Sequence, residues 1–296
     1  MEKEKQIIAL GFFDGVHLGH KALLHACRDL AIRQGCRAAA LTFDTHPQAL
    51  VRGKAPGLIN TQADRLGLIH ACGIYPVHTL PFDQKLMTMP WQGFFNMLLE
   101  KYNAAGIVCG DDYRFGCRGE GTAEKLKLAC EAAGIPCVVV GEQTLDGIRV
   151  SSSYIRTLLR QGDIQQVNRF LGHTHILTGT VVPGKQLGRT IGVPTANLLL
   201  PDELEIPRFG VYACVTHVDG VDYAAVTNIG TRPTVSGQGI TVESWLLDYS
   251  GDLYGRELTL NFFAFLRPEM KFDSLEALQA EIQKNAAQAR KILGFS

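Results

Sequence analysis

The chain of 296 residues lacks long apolar segments. Before Gly11 only four apolar residues stand together, at positions 7–10, and this run is too short for the core of a signal peptide. No apolar run approaches the ~18 residues that a membrane-spanning helix needs. We therefore expect a soluble, cytoplasmic protein that has no membrane partner.

The sequence also lacks net charge and paired cysteines. Its 29 Lys and Arg residues balance 29 Asp and Glu residues, and no block of consecutive basic residues could follow a nucleic-acid backbone. None of the 8 cysteines belongs to a CxxC pair, which indicates reduced, mostly buried thiols and argues against a zinc site. We therefore expect small-molecule partners and no nucleic acid. Any phosphate site must be built locally, from helix ends and single basic residues.

In its first half the chain alternates short apolar runs with longer amphipathic ones. This alternation predicts a parallel sheet with crossover helices, which is an α/β fold. The predicted strands are 7–10, 38–43, 74–79, 107–109 and 137–140. Two short helices, predicted at 153–161 and 164–171, lead to a domain boundary at residue 172.

In the second half the pattern changes to β-forming segments that are separated by Gly, Asp and Asn turns. This pattern predicts a small antiparallel barrel. The predicted strands are 211–218, 223–228, 241–249 and 257–265. A final amphipathic helix, opened by Asp273 and ending near Leu293, is expected to close the barrel. The predicted domains are therefore 1–172 and 173–296.

The segment 11–20, GFFDGVHLGH, joins the first predicted strand to a predicted helix. Such a turn presents backbone N–H groups and the positive end of a helix to a phosphate. Because His17 and His20 are three residues apart at the start of the helix, both imidazoles can point at one anion. Gly19 leaves room between them for a nucleotide. The pattern predicts nucleotidyl transfer.

Three further polar clusters follow strands or begin a helix in the first half. They are TFDTHP with Asp44 and His46, GDDYRFG with Asp112, and VSSSYIR with Ser152, Ser153 and Arg156. Because the carboxyl ends of parallel strands meet at one crevice, we expect these clusters to converge. Structural roles are open alternatives for two residues: His46 could serve only as a hydrogen-bonding residue of a turn, and Asp14 could only cap one.

With these motifs the sequence resembles the bacterial bifunctional riboflavin kinase/FAD synthetases over essentially the whole chain. The motifs that carry the resemblance are GFFDGVHLGH, GDDYRFG and SSSYIR in the first half, and PTAN (194–197), NIGTRPT (228–234) and RPEMKF (267–272) in the second. The resemblance implies an N-terminal FMN adenylyltransferase domain of the Rossmann-like nucleotidyltransferase type. It also implies a C-terminal riboflavin kinase domain, which is a six-stranded antiparallel barrel closed by a helix.

For adenylyl transfer, the resemblance implies that His17 and His20 are catalytic. The implied ATP ligands are Gly11, Phe12, Asp14, His17, His20, Ser152, Ser153 and Arg156, and the implied flavin ligands of this domain are His46 and Asp112. The FMN phosphate carries a charge of about −1.5 to −2 and needs no general base. The reaction needs positive groups instead, together with Mg²⁺ on the pyrophosphate.

For riboflavin phosphorylation, the resemblance implies that Glu243 is the base that accepts the alcohol proton. Thr195 and Asn197 are suited to bind Mg²⁺ and the ATP phosphates. Further implied ATP ligands are Gly179, Gly184, Lys185 and Arg189 of a phosphate-covering loop, and the implied flavin ligands are Arg267 and Phe272. The structural alternatives are a Pro-initiated turn at Thr195 and Asn197, a solvent-facing Glu243, and a polar turn containing Asn228, Arg232 and Thr234.

One departure from the family pattern concerns the kinase half. Trp245 stands where a histidine is usual two residues after the base, and it replaces a titratable ring with a large apolar one. We expect conversion of riboflavin to FMN and of FMN to FAD, with ATP as substrate and Mg²⁺ as cofactor, by a monomer or weak homo-oligomer. The alternatives are a chain that retains one of the two activities and a non-catalytic flavin-binding protein.

Overall fold

The structure, a computed structural model, describes residues 4–184, 188, 192–234 and 237–295. Within these residues the chain forms two compact units. Unit 1 comprises Met1–Pro56 and Gln62–Ser152, and unit 2 comprises Gly57–Thr61 and Ser153–Ser296.

The core of unit 1 is a parallel sheet. The strands of this unit are β1 (Gln6–Leu10), β2 (Arg37–Phe43), β3 (Val77–Leu80), β4 (Ala104–Gly110), β5 (Arg114–Phe115), β6 (Gly121–Thr122), β7 (Cys137–Val140), β8 (Thr144–Leu145) and β9 (Ile148–Arg149). Among the described residues, five of them form the sheet in the order β3-β2-β1-β4-β7, and all neighbours are parallel. The order reverses between β1 and β4, so a ligand crevice is expected outside the carboxyl ends of these two strands.

Helices cover both faces of this sheet. They are α1 (Leu18–Gln34), α2 (Pro47–Arg52), α3 (Gln62–Ala71), α4 (Gln84–Met87), α5 (Trp91–Glu100) and α6 (Ala123–Ala132). Because side chains alternate along a strand, Ile8 packs with Phe94 of α5 on one face, whereas Ile7 packs with Leu24 of α1 on the other. The predicted α/β fold is confirmed.

The remainder of the chain forms two helices, a barrel and a terminal helix. Its elements are α7 (Ser152–Gln161), α8 (Ile164–Leu171), β10 (His175–Val182), β11 (Ala196–Leu199), β12 (Gly210–Val218), β13 (Val221–Thr234), β14 (Gly237–Leu246), β15 (Glu257–Arg267) and α9 (Leu275–Leu293). Within the described residues, six strands close into an antiparallel barrel in the order β10-β11-β14-β13-β12-β15. The predicted barrel is confirmed.

Strand β13 extends through the NIGTRPT motif. The backbone from Asn228 to Thr234 pairs with β14, so the turn considered for Asn228, Arg232 and Thr234 is not formed. The extension arises because cross-strand hydrogen bonds are made by the backbone and tolerate the polar side chains of this segment. The side chains of Arg232 and Thr234 lie outside what the structure describes.

Helix α9 packs on the outside of the barrel through small residues. Ala286 and Ala289 lie in one cluster with Val211 and Ala213 of β12. The N-cap of α9 is Ser274, whose hydroxyl accepts the Ala277 N–H at 3.1 Å. The sequence predicted Asp273 at this end, one residue earlier, and the Ser274 hydroxyl satisfies the helix terminus instead.

The division into units falls at Ser152/Ser153 and not at residue 172. The difference has a physical reason, because α8 is bonded to the barrel by Asn168. Its Nδ2 donates to the Phe262 carbonyl at 2.8 Å, and its Oδ1 accepts the His175 N–H at 2.7 Å. The functional boundary at residue 172 stays a prediction.

Candidate active sites

The turn after β1 holds two stacked imidazoles. His17 is the N-cap of α1, and its Nδ1 accepts the backbone N–H of His20 at 3.3 Å. The His17 and His20 rings are 3.6 Å apart between centroids and 14° from parallel. A Cβ at Gly19 would lie 3.2 Å from the His17 ring, so a residue larger than glycine would crowd this ring. Both imidazoles therefore lie together at the positive end of α1.

The His20 side chain is uncharged at neutral pH. Burial first, and then the electrostatic influence of His17 and of Arg65, hold the pKa of His20 well below its usual value. Its Nδ1 has no hydrogen-bond partner among the described residues. The ring can therefore donate an N–H to a phosphate oxygen as a neutral group, whereas the chemistry of the reaction predicted a positive group here.

The backbone of this turn adopts conformations that are uncommon for its residues. Phe13 has φ 61° and Val16 has φ 37°, and both side chains are fully buried. A Cβ at Gly11 would lie 2.9 Å from the Phe13 ring, and the edge of that ring packs against His20. The burial of Phe13 and Val16 therefore holds the turn in this conformation.

Asp14 and Ser152 meet in unit 1. Asp14 is 3% exposed, and its carbonyl oxygen accepts the Ser152 hydroxyl at 2.9 Å. The other two predicted ATP ligands of this segment, Ser153 and Arg156, belong to unit 2. Arg156 is buried there, and its Nε donates to the Gly57 carbonyl at 2.6 Å.

A large cavity lies at the same edge of unit 1. Its volume is about 990 Å³, and its lining includes Phe43, Pro47, Phe82, Phe94, Tyr113 and Phe115. A cavity of this size and aromatic character suits a planar polycyclic ligand. His46 precedes the lining residue Pro47, caps α2 through Nδ1 and meets the Phe12 ring edge-on at 4.7 Å.

Asp112 follows β4 on the exposed loop next to this cavity. Its side chain is 71% exposed and forms an ion pair with Arg149 at 2.7 Å. The next residue, Tyr113, lines the cavity, and burial raises the pKa of its hydroxyl above the ordinary value. The loop therefore contributes Tyr113 to the cavity wall and leaves Asp112 open to solvent.

No motif of the sequence marked Arg65, which is the largest fully buried side chain of the described residues. Its Nη2 donates to the Phe43 carbonyl at 2.7 Å, and its guanidinium carbon lies 4.0 Å above the Phe12 ring. Burial lowers its pKa to about 10, and Asp14 and Asp44 oppose this shift. The only signal in the sequence was a basic residue one turn into a helix that follows the second strand.

In unit 2, three polar residues lie in register on three adjacent strands of the barrel. Glu243 of β14 is directly opposite Asn197 of β11 on one side and Asn228 of β13 on the other. Residues in register share one face of a sheet, so the carboxylate is flanked by two amides. Glu243 is half-buried, and Asn197 lies in a strand and not in the turn considered for PTAN.

Unit 2 also contains a cavity of about 400 Å³. Its lining includes Pro194, Thr195, Ser244, Tyr249 and Leu253. Gly184 lies against Asn197, because a Cβ there would come within 2.6 Å of Asn197 Cγ. Gly179 lies inside β10, where a Cβ would be 2.7 Å from the Leu199 carbonyl oxygen. The predicted ATP ligands Lys185 and Arg189 lie outside the described residues.

Comparison with known proteins identifies both halves. A family model described as FAD synthetase matches residues 1–154, and one described as riboflavin kinase matches residues 171–293. The bifunctional riboflavin kinase/FMN adenylyltransferase of Listeria monocytogenes is 32% identical over 96% of this chain and 91% of its own length. The protein of that name from Escherichia coli K12 is 34% identical over 99% of this chain and 95% of its own length. The chain belongs to the family of bifunctional riboflavin kinase/FMN adenylyltransferases.

A solved structure is similar to this family member over almost the full length of both chains. It is a crystal structure described as a macrolide-efflux protein from Streptococcus pneumoniae, with a TM-score of 0.89 and 28% sequence identity. The alignment covers 98% of this chain and 95% of that one. Among the described residues of this family member, no helix is both long and apolar enough to cross a membrane.

Both enzymatic domains of the family are present in this chain. The stacked imidazoles lie in the FAD synthetase match, and the row of Asn197, Glu243 and Asn228 lies in the riboflavin kinase match. The structure thus groups Gly11, Asp14, His17, His20 and Ser152 at one site, and Asn197 and Glu243 at another. The ligand assignments themselves stay predictions.

The two predicted flavin ligands of the kinase half lie next to each other. The Arg267 guanidinium lies 5.7 Å from the Phe272 ring centroid, and its Nε donates to Asn285 of α9 at 3.0 Å. Trp245, two residues after Glu243, packs against the cluster that α9 forms with β12. Arg267 therefore bonds to α9, and Trp245 packs against the cluster to which α9 belongs. Both residues have structural contacts in addition to any role in binding flavin.

Proposed function

We propose that this chain converts riboflavin to FMN in unit 2 and FMN to FAD in unit 1, with ATP as the donor in both reactions. The observation that supports this division most directly is the chemistry of the two sites. Unit 1 offers hydrogen-bond donors at a helix N-terminus, next to an aromatic cavity. Unit 2 offers a carboxylate between two amides. Adenylyl transfer needs the donors of unit 1, and phosphorylation of an alcohol needs the carboxylate of unit 2.

In unit 1 the nucleophile is the phosphate of FMN. One of its oxygens attacks the α-phosphorus of ATP, the bond from that phosphorus to the bridging oxygen breaks, and pyrophosphate leaves. No proton has to be removed, because the attacking oxygen is already anionic at neutral pH. His17, His20 and the N-terminus of α1 stabilise the charge that develops on the α-phosphate.

In unit 2 the nucleophile is a neutral hydroxyl of the ribityl chain. Its oxygen attacks the γ-phosphorus of ATP, ADP leaves, and the hydroxyl proton passes to the Glu243 carboxylate. The half-buried position of Glu243 supports this role, since it removes part of the competing solvent. Asn197 and Asn228 flank Glu243 through their positions in register.

The oxygen donors of Thr195 and Asn197 fit Mg²⁺, which prefers oxygen ligands and usually binds together with substrate phosphates. Within the described part of the chain, no group of three or more His, Cys, Asp or Glu residues could hold a metal ion. When bound, Mg²⁺ would neutralise charge on the phosphates of ATP.

The cytoplasmic location and the assembly as a monomer or weak homo-oligomer stay predictions.

The decisive experiment follows riboflavin, FMN and FAD over time after the purified chain is mixed with riboflavin and MgATP. We expect FMN first and FAD later, together with ADP and pyrophosphate. His20→Ala should let FMN accumulate and lower FAD formation by about 10²- to 10³-fold, as for loss of one preorganised donor. Glu243→Gln should lower FMN formation by about 10²- to 10⁴-fold and leave FAD formation from added FMN unchanged.

Two matched variants serve as controls. His25→Ala removes an exposed histidine from the same helix as His20, and Glu257→Gln removes an exposed carboxylate from the barrel. Both should behave as the unchanged chain. Equal loss of both activities in His20→Ala and in Glu243→Gln, with both variants folded, would refute the division between units. If the chain binds flavin but releases neither ADP nor pyrophosphate, it is a non-catalytic flavin-binding protein.

A further inference from the structure

Arg65 in unit 1 is buried with one of its donors unused. The side chain is 1% exposed, and Nη2 donates to the Phe43 carbonyl at 2.7 Å. Its Nε has no hydrogen-bond partner among the described residues. Folded proteins rarely leave a buried N–H of a charged group unsatisfied, because the lost hydration is not recovered. The Nε–H is therefore available to an acceptor that binds from outside the chain.

An anionic acceptor suits this donor best. Although burial lowers the pKa of Arg65 to about 10, the guanidinium is still positively charged at neutral pH. The negative charges of Asp14 first and then Asp44 act on Arg65, but neither carboxylate accepts a hydrogen bond from Nε, and Oδ1 of Asp44 accepts the Phe82 N–H at 3.0 Å. A desolvated guanidinium that is held in place by a carbonyl and an aromatic ring is suited to bind a phosphate.

The guanidinium belongs to the same site as the stacked imidazoles. Its carbon lies 4.0 Å above the ring of Phe12, which is part of the turn that contains His17 and His20. Its positive charge also acts on the His20 imidazole. An anion bound near His20 would therefore be attracted by Arg65 as well.

We propose that Arg65 binds a phosphate group of a reactant in adenylyl transfer through its Nε–H, and so is a further ligand of this site. The inference rests on the proposed function of unit 1. Two sources supply the phosphate chemistry, ATP and FMN. The kinetic constants for the two substrates distinguish them, because the substrate that Arg65 holds is the one whose KM rises when the guanidinium is removed.

The test measures FAD and pyrophosphate formation from FMN and MgATP with full-length Arg65→Met, Arg65→Lys and the unchanged chain. We expect Arg65→Met to lower kcat/KM by roughly 10- to 100-fold, the range for loss of a charge-assisted hydrogen bond. Arg65→Lys should recover part of this loss because it restores the charge. Arg33→Met, at an exposed arginine of α1, is the matched control and should be unaffected.

FMN formation from riboflavin in the same samples reports on folding. Wild-type adenylylation by Arg65→Met overturns the proposal, and so does an equal loss in Arg65→Met and Arg65→Lys. Should Arg65→Met fail to fold, Arg65→Lys decides: a raised KM for ATP or FMN supports the proposal, and unchanged constants overturn it. Absence of FAD formation by the unchanged chain would instead contradict the proposed function itself.

Discussion

Gly19 is packed against the imidazole of His17, and a Cβ atom at position 19 would lie 3.2 Å from both Cε1 and Nδ1 of that ring. The spacing of the HLGH motif is therefore explained by contact as well as by helix geometry. A side chain between the two histidines would push the His17 ring out of its stack with His20, whose centroid is 3.6 Å away. The stacking of the two imidazoles therefore depends on the glycine at position 19.

Gly19→Ala should reduce FAD formation without reducing stability. Alanine favours a helix over glycine by about 0.8–1 kcal/mol, and this gain offsets the displacement of the His17 ring. We expect kcat/KM for FMN adenylylation to fall by about 10-fold or more, the order expected from a small misplacement of a catalytic group. Gly67→Ala in α3, where a Cβ would meet nothing within 4 Å, is the control. A variant with an unchanged rate would contradict this reading of the motif.

Gly184→Ala should impair phosphorylation of riboflavin selectively. An added Cβ would come within 2.6 Å of Asn197 Cγ, and Asn197 stands opposite Glu243. Displacing Asn197 should raise the KM for ATP or lower kcat by about 10-fold, and FAD formation from FMN should be unchanged. Initial rates of ADP release measure the effect. Gly141→Ala, where a Cβ meets nothing within 4 Å, should not change them.

Unit 2 should lose stability in mild acid because of His175. This ring is fully buried, neither nitrogen has a partner among the described residues, and burial first and then His173 lower its pKa to about 3. The unfolded chain takes up a proton below its ordinary pKa of about 6.5, whereas the folded chain does not. The free energy of unfolding therefore falls as the pH falls below 6.5, by up to about 1.4 kcal/mol per pH unit for this group.

His175→Phe should remove this component of the pH dependence. The measurement is urea unfolding at about pH 7.5 and pH 5.5 in a Trp91→Phe background, in which Trp245 is the remaining tryptophan of the two in the chain. Trp245 then reports on unit 2. If the free energy of unfolding falls equally between the two pH values in the His175→Phe variant and in the chain that keeps His175, this histidine is not responsible.

Arg267 should contribute to the stability of unit 2 through α9. Its Nε donates to Oδ1 of the buried Asn285 at 3.0 Å, and Glu281 lies 3.4 Å from the same nitrogen. We expect Arg267→Met to lower the free energy of unfolding by about 1–3 kcal/mol, since it leaves buried acceptors unsatisfied. A double-mutant cycle with Asn285→Ala should give a coupling energy above about 0.5 kcal/mol. A raised KM for riboflavin with unchanged stability would favour the flavin-binding role instead.

The pattern of apolar residues was sufficient to predict a strand where the strand is short and all of its side chains are buried. Residues 7–10 were predicted as a strand and lie within β1, because all four side chains are buried by helices on both faces. The pattern was insufficient for β10 and β11, which no periodicity marked. Strand β11 has four residues, and one of its two pairing partners, β14, is distant in sequence. The barrel with six strands was expected from the family resemblance alone.

Helix and strand ends were predicted less well, because contacts across the sheet decide them. The strand predicted at 74–79 begins only at Val77, since Pro76 has no N–H for the sheet. The strand predicted at 241–249 ends at Leu246, and Asp248 adopts a positive φ of 61° soon after it. The segment at 223–228 extends to Thr234, because its backbone continues to pair with β14.

The sequence by itself determined the local features of this protein: the alternation of strands and helices, the turn in which glycine separates two histidines, and the order of motifs that indicates two transfer reactions. These depend on residues that are neighbours in the chain. Only the tertiary structure decided that His20 is neutral, that Glu243 lies between two asparagines, and that Arg65 is buried with an unused donor. Desolvation and pairing depend on side chains from distant segments, and no local pattern records them.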